Sequence, residues 1–165
     1  ECPYPGDGEF SPERFVDVYN SELANKLGNL LSRVITIPIK SLGGVFGGTA
    51  GVPPEPVGAE ADAAALVAEV RGHVEACRYN LALQTLSQKL LDPANKYVDD
   101  QKPWALVKTD PAAARRVLYN LTEPLRVAAI LLKPFVPKAA ETIYKSFSFP
   151  TRWADVKYAD AAVPQ

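Results

Sequence analysis

Apolar residues along this chain recur every three or four positions, and nowhere do they keep up an alternation of two. A period near 3.6 is the signature of helices that bury one face, and its dominance leaves no room for a sheet. Proline then sets where those helices start and stop. There are fifteen, enough to cut the periodic stretches into separate rods. "SPERF" offers a capping serine with Pro12 at the first helical position. Phe15, Val18, Tyr19, Leu23, Leu27, Leu30, Leu31 and Val34 then share one side. A restart is expected near Asn20 and Ser21, where "NSELA" offers a second cap, and an end at Pro38 followed by Gly43 and Gly44.

Periodicity resumes at Leu66, Val70, His73, Val74 and Cys77 and runs on through Leu81, Leu83, Leu86, Leu90, Leu91, Ala94, Tyr97 and Val98. Pro93 inside that run predicts a kink or a fresh start capped by Asp92. "DDQKPW" reads as a turn. "TDPAAARR" predicts another helix, capped by Asp110 with Pro111 in its first turn, continuing through Leu118, Leu121, Leu125 and Leu132. A last short helix follows Pro137, with Ala140, Ile143, Tyr144 and Phe147 on one side, and "ADAAVPQ" reads as a loose tail. The expectation is an all-α bundle of four to five helices. It divides into an extended connector at 1–10, the bundle at 11–149 with a flexible Gly/Pro loop at 43–58, and a tail at 150–165. The length of 165 residues suits one domain with a real core.

Several function classes fall away on counts alone. Net charge is −1, so any nucleic acid must be held by a local patch rather than by bulk charge. A single histidine, His73, rules out two-histidine zinc or nucleotide signatures within this stretch. The glycines at 43, 44, 47 and 48 lack the preceding strand and following lysine of a phosphate loop. Cys2 and Cys77 are isolated, which suits a reducing compartment. No apolar run reaches the roughly 18 residues of a membrane span, and no signal peptide is evident. The chain has no Met at all, which points to a piece of something longer.

Two features could carry chemistry. In "ELANKLGNLLSR", Asn25, Asn29 and Arg33 stand four residues apart, opposite the leucines. Asparagine is a weak helix former. The stripe is either a solvated face or a hydrogen-bonding edge, since Asn both donates and accepts and Arg offers a planar fork of donors. Such groups suit base edges. Trp104 follows Pro103 at a turn beside Lys102 and Lys108, as a core residue or as a stacking platform. Trp153 reads as packing and His73 as a boundary residue. The pairs Asp99 and Asp100, and Arg115 and Arg116, fit helix-end charge effects. Charge is uneven: six basic residues face two acidic ones over 126–157, whereas four acidic residues stand alone over 51–70.

Three stretches, "DGEFSPERFVDVYNSELANKLGNLLSR", "PANKYVDDQKPWALVK" and "RRVLYNLTEPLRVAAILLKPFVPKAAETIY", together resemble the C-terminal anticodon-binding domain of methionyl-tRNA synthetases. The resemblance implies a helix bundle that follows a Rossmann-type catalytic domain and reads the CAU anticodon of methionine tRNA. It implies anticodon contacts from Asn25, Asn29, Arg33 and Trp104, with Pro103 beside the Trp and Asp99 supporting the site. It also implies no catalytic residue, metal or cofactor in this stretch: ATP, Mg and Zn belong to the catalytic domain, so this chain alone is expected to be inactive. Methionine tRNA and the catalytic domain of the same polypeptide are the implied partners, with a cytoplasmic location and no membrane. Two other readings stay open on the residues: the matching domain of another class I synthetase, and a protein-interaction bundle with a solvated stripe.

Overall fold

The computed structural model describes residues 11–44, 55–58 and 62–163, without the side chains of Glu22 and Leu23. The connector at 1–10, the middle of the Gly/Pro loop and the Leu23 packing position therefore lie outside the described residues.

The first rod is continuous. It comprises α1 (Pro12–Val18), a widened stretch (Tyr19–Gly28) and α2 (Asn29–Ser41). Ser11 caps it by accepting from the Arg14 N–H, as the sequence predicts. The expected restart at Asn20 and Ser21 does not occur. Ser21 donates back to the Val18 carbonyl, and the backbone opens from i→i+4 to i→i+5 bonds, so the Asn29 N–H reaches Ala24 O. Nor does Pro38 end the helix; it is buried in the last turn, and its own carbonyl accepts from the Leu42 and Gly44 N–H groups.

The long second run breaks at a place with no glycine to mark it. Helix α3 (Ala63–Glu75) ends where Cys77 takes φ 56 and the Arg78 N–H returns to His73 O, the double-bonded closure of a left-handed C-cap. The next rod joins α4 (Tyr79–Leu86), a second widened stretch (Ser87–Leu91) and α5 (Asp92–Gln101). No loop precedes Pro93, which sits in the first turn of α5, and Asp92 is no cap: Leu91 before it is already helical and no side-chain cap bond is made. The ladder already runs i→i+5 there, with the Asp92 N–H on Ser87 O, so the missing proline N–H is absorbed. Lys102, at φ 47, separates α5 from α6 (Pro103–Thr109), so "DDQKPW" is two helix ends and one pivot residue rather than a loose turn.

Asp110 caps α7 (Pro111–Asn120) through the Ala113 N–H, as expected. The helix does not run on to Leu132; it breaks at Leu121 and restarts as α8 (Thr122–Leu132), where Pro124 sits in the first turn. Proline there cannot donate to the preceding turn, and that is why the ladder parts. Residues 123–132 of α8 are all buried, so α8 is the axis of the fold. Leu125, Val127, Ala129, Ile130 and Leu131 are each at most 1% exposed. Helix α9 (Pro137–Lys145) packs on it through Ala140, Ile143 and Tyr144. Among the described residues there is no strand: the bundle is all α, built from the first rod, α3, the α4–α5 rod, α7, α8 and α9, with the short α6 between α5 and α7.

The tail is not loose. Two short 3-10 turns, Trp153–Asp155 and Tyr158–Ala162, fold back on the axis with Ala161 fully buried. Arg126 is fully buried; it grips Glu123 at 2.6 and 2.8 Å and donates to the carbonyls of Asp160 and Val163 at 2.9 and 2.7 Å. Lys133 likewise donates to Trp153 O and Val156 O. The basic excess over 126–157 is thus partly internal structure and not an open patch.

Candidate nucleic-acid interface

Three rods meet at one corner of the bundle: α2, the C-terminal end of α5, and α6. Arg33 projects from α2, Asp99 from the last turns of α5, and Trp104 from the first turn of α6. The Arg33 Nη1 lies 2.6 Å from Asp99 Oδ1, and the guanidinium carbon stands 5.4 Å from the Trp104 ring centroid. Trp104 remains 42% exposed, while Pro103 beside it is buried and anchors the turn. The pivot at Lys102 aims α6 toward α2. A non-glycine residue in that conformation is uncommon and costs roughly 1 kcal/mol, so the surrounding contacts hold it there.

Asn25 and Asn29 are exposed on the same rod, two turns and one turn before Arg33. Leu27, Leu30 and Val34 are at most 2% exposed on its other side. The geometry therefore brings Arg33 into contact with both Asp99 and Trp104 and leaves both asparagines facing solvent along the helix that carries Arg33. The corner offers a guanidinium fork, an indole face half open to water, and two amides: donors, acceptors and a stacking surface. Among the described residues no group of three or more His, Cys, Asp or Glu could hold a metal ion.

Electrostatics around the corner are those of an exposed surface. Lys96 pairs with Asp100 one turn away on α5, and that hydrogen bond holds the Lys96 ammonium above the usual lysine value. Trp153, by contrast, is packed: its ring lies 5.2 Å from Tyr144 and 4.5 Å from the Lys133 ammonium. His73 is half-buried at the end of α3, a boundary position.

Two side chains to which the sequence pattern gives no prominence join the rod that carries Arg33 to the rod that carries Asp99. Lys26 Nζ bonds Ser87 Oγ at 2.8 Å and the Asp92 carboxylate at 3.0 Å. Asn95 Nδ2 donates to Lys26 O at 3.2 Å and to Leu91 O at 2.9 Å. Their one trace in the sequence is the tripeptide "ANK", which occurs at 24–26 and again at 94–96.

Residues 47–164 match the family described as the anticodon binding domain of methionyl tRNA ligase. A methionine–tRNA ligase of Bacillus subtilis is 39% identical over 149 residues, covering 88% of this chain and 22% of that protein. One of Clostridium perfringens is 35% identical and covers 99% of this chain and 26% of its own length. Among solved structures, the Mycobacterium tuberculosis methionyl-tRNA synthetase in complex with methionyl-adenylate superimposes with a TM-score of 0.80 at 33% identity, over 99% of this chain and 32% of that one. The chain thus spans about a quarter of the length of the curated relatives it matches.

Proposed function

The chain belongs to the family of anticodon-binding domains of methionyl-tRNA ligases, and from that membership we propose that it reads the CAU anticodon of methionine tRNA at the corner of α2, α5 and α6. The observation that carries this reading is the Arg33–Trp104 contact, with the ring still open to solvent. A splayed anticodon base stacks on Trp104, and the Watson–Crick edges of its neighbours meet Asn25, Asn29 and Arg33. Pro103 holds the indole in place, and Asp99 holds Arg33 in its working rotamer until RNA arrives. A wrong base leaves one or more of these groups desolvated and unpaired, at about 1–3 kcal/mol each.

In the full-length ligase this recognition serves ATP-dependent attachment of methionine. The catalytic part of the same polypeptide supplies the ATP and metal chemistry together with further tRNA contacts, and it does so in the cytoplasm. No helix among the described residues is long and apolar enough to cross a membrane.

The test is binding of this chain to a panel of anticodon stem-loops. CAU should bind tightest, and each single-base change should weaken it about 5- to 150-fold. Equal binding across the panel would sink the reading. A preference for another anticodon would instead assign the domain to a different synthetase. Arg33→Ala should lower discrimination among the stem-loops; unchanged discrimination would remove Arg33 from base reading.

A further inference from the structure

The stripe Asn25, Asn29, Arg33 has a geometric problem that the widened stretch addresses. In a regular helix each step of four residues overshoots a full turn by about 40°, so three such residues wind away from one another. Residues 19–28 close i→i+5 bonds instead, where four residues fall short of a turn. The step from Asn25 to Asn29 crosses this stretch, whereas the step from Asn29 to Arg33 lies in regular α2. The two drifts have opposite sign, so Asn25 returns to the file of Arg33.

Widened turns of this length are rare, because their packing and hydrogen bonds are poorer than those of an α-helix. Something outside the helix must hold them. Here the second widened stretch, Ser87–Leu91, packs against the first. Lys26 crosses from one to the other, its ammonium bonding both Ser87 and Asp92. Asn95 closes the pair from the other rod: its one amide nitrogen donates to a carbonyl of each widened stretch, Lys26 O and Leu91 O. Lys26 lies immediately after Asn25 in the chain, so the brace acts at the stripe itself.

We propose that Lys26 and Asn95 are positioning residues that hold the two widened stretches together and so bring Asn25 back into the file of Arg33, with Asn29 set to one side between them, as one compact edge for the anticodon bases. This rests on the anticodon-reading function argued above. Neither side chain is required to touch RNA.

The experiment measures binding of the chain to the CAU stem-loop and to single-base variants across a salt series, with amide hydrogen exchange in parallel. Asn95→Ala should lower CAU affinity about ten-fold and shrink the preference for CAU by a similar factor. The slope of log affinity against log salt should not change, because no phosphate contact is removed. Exchange of the amides at 24–33 should quicken. Lys26→Gln should behave alike, and Lys26→Arg should restore most of the preference. Should Asn95→Ala fail to fold, the half-exposed Lys26 variants carry the test. Unchanged affinity and preference, whatever the loss of thermal stability, would overturn the proposal. So would a salt slope reduced by about one in Lys26→Gln, which marks a direct phosphate contact. If the unaltered chain shows no preference for CAU, the anticodon reading itself falls and the brace falls with it. If the unaltered chain discriminates but Asn95→Ala does so equally well, only the brace falls.

Discussion

Trp104→Ala separates recognition from packing, provided that the two costs are kept apart. With Trp104 at 42% exposure, more than half of its surface is covered. A buried tryptophan removes about 150–250 Å² from water, so this one covers on the order of 130 Å². At about 25 cal/mol/Å² that amounts to about 3 kcal/mol, which a compact unfolded state trims to about 2 kcal/mol. The loss of the Arg33 contact adds up to about 1 kcal/mol. The variant should therefore melt earlier yet remain folded at 15–20 °C below its midpoint, where binding can be read. There its affinity for the CAU stem-loop should fall by about 1–3 kcal/mol, the worth of one stacked base. Trp153→Ala is the internal control. Its ring packs between Tyr144 and Lys133, so its loss should cost about 3–5 kcal/mol of stability and leave RNA affinity unchanged. Thermal denaturation and fluorescence anisotropy on the same samples give both numbers. Were Trp104→Ala to bind normally, or were Trp153→Ala to lose as much affinity as it does, stacking on Trp104 would be refuted.

Three further outcomes follow from the scaffold. Arg126→Leu should destabilise the chain by about 3–5 kcal/mol in urea denaturation, because it strands Glu123 in the interior and frees the carbonyls of Asp160 and Val163. Gly58→Ala should cost at least about 1 kcal/mol in the same assay: the residue sits at φ +84 and an added Cβ would meet Pro93 Cβ at 2.9 Å. Burial pushes the phenols of Tyr144 and Tyr158 above the ordinary tyrosine value. A raised folded-state pKa means stability that is present below about pH 10 and lost as pH climbs through the shifted values. Tyrosinate absorbance should therefore rise together with loosening of the segment at 151–163, as read by amide exchange; ionisation of both phenols at about pH 10 with no loosening would contradict this.

How much of this was legible in the sequence depends on whether a feature is local. Ser11 with Pro12 and Asp110 with Pro111 announce helix starts because cap and proline act within one turn. The breaks at Cys77 and Lys102 are silent, because the residues adopting the left-handed conformation carry side chains and no glycine flags them. The packed tail is silent for another reason. Ala161 is a small apolar residue in a polar-looking run, and the groups that fix it, Arg126 and Lys133, lie roughly thirty residues upstream. Arg126 counts as surface charge in the sequence and as a buried clamp in the fold; only its pairing with Glu123 three residues before it hints otherwise.

The candidate site divides along the same line. Its ingredients were legible: periodicity places the Asn–Asn–Arg file opposite the leucines, whereas Trp104 after its proline stayed open between core and platform until the fold left it half exposed. Its assembly was not, because Arg33 and Trp104 are 71 residues apart and meet only because the pivot at Lys102 turns α6 back toward α2. The i→i+5 ladder was equally hidden. Propensity and periodicity describe a 3.6-residue turn, and by that measure Asn25 and Arg33 should diverge by about 80°. What brings them back is a backbone change with no composition of its own, held by side chains from another rod. The residues that make the edge can thus be named from one helix, but the return of Asn25 to the file of Arg33 is a property of two.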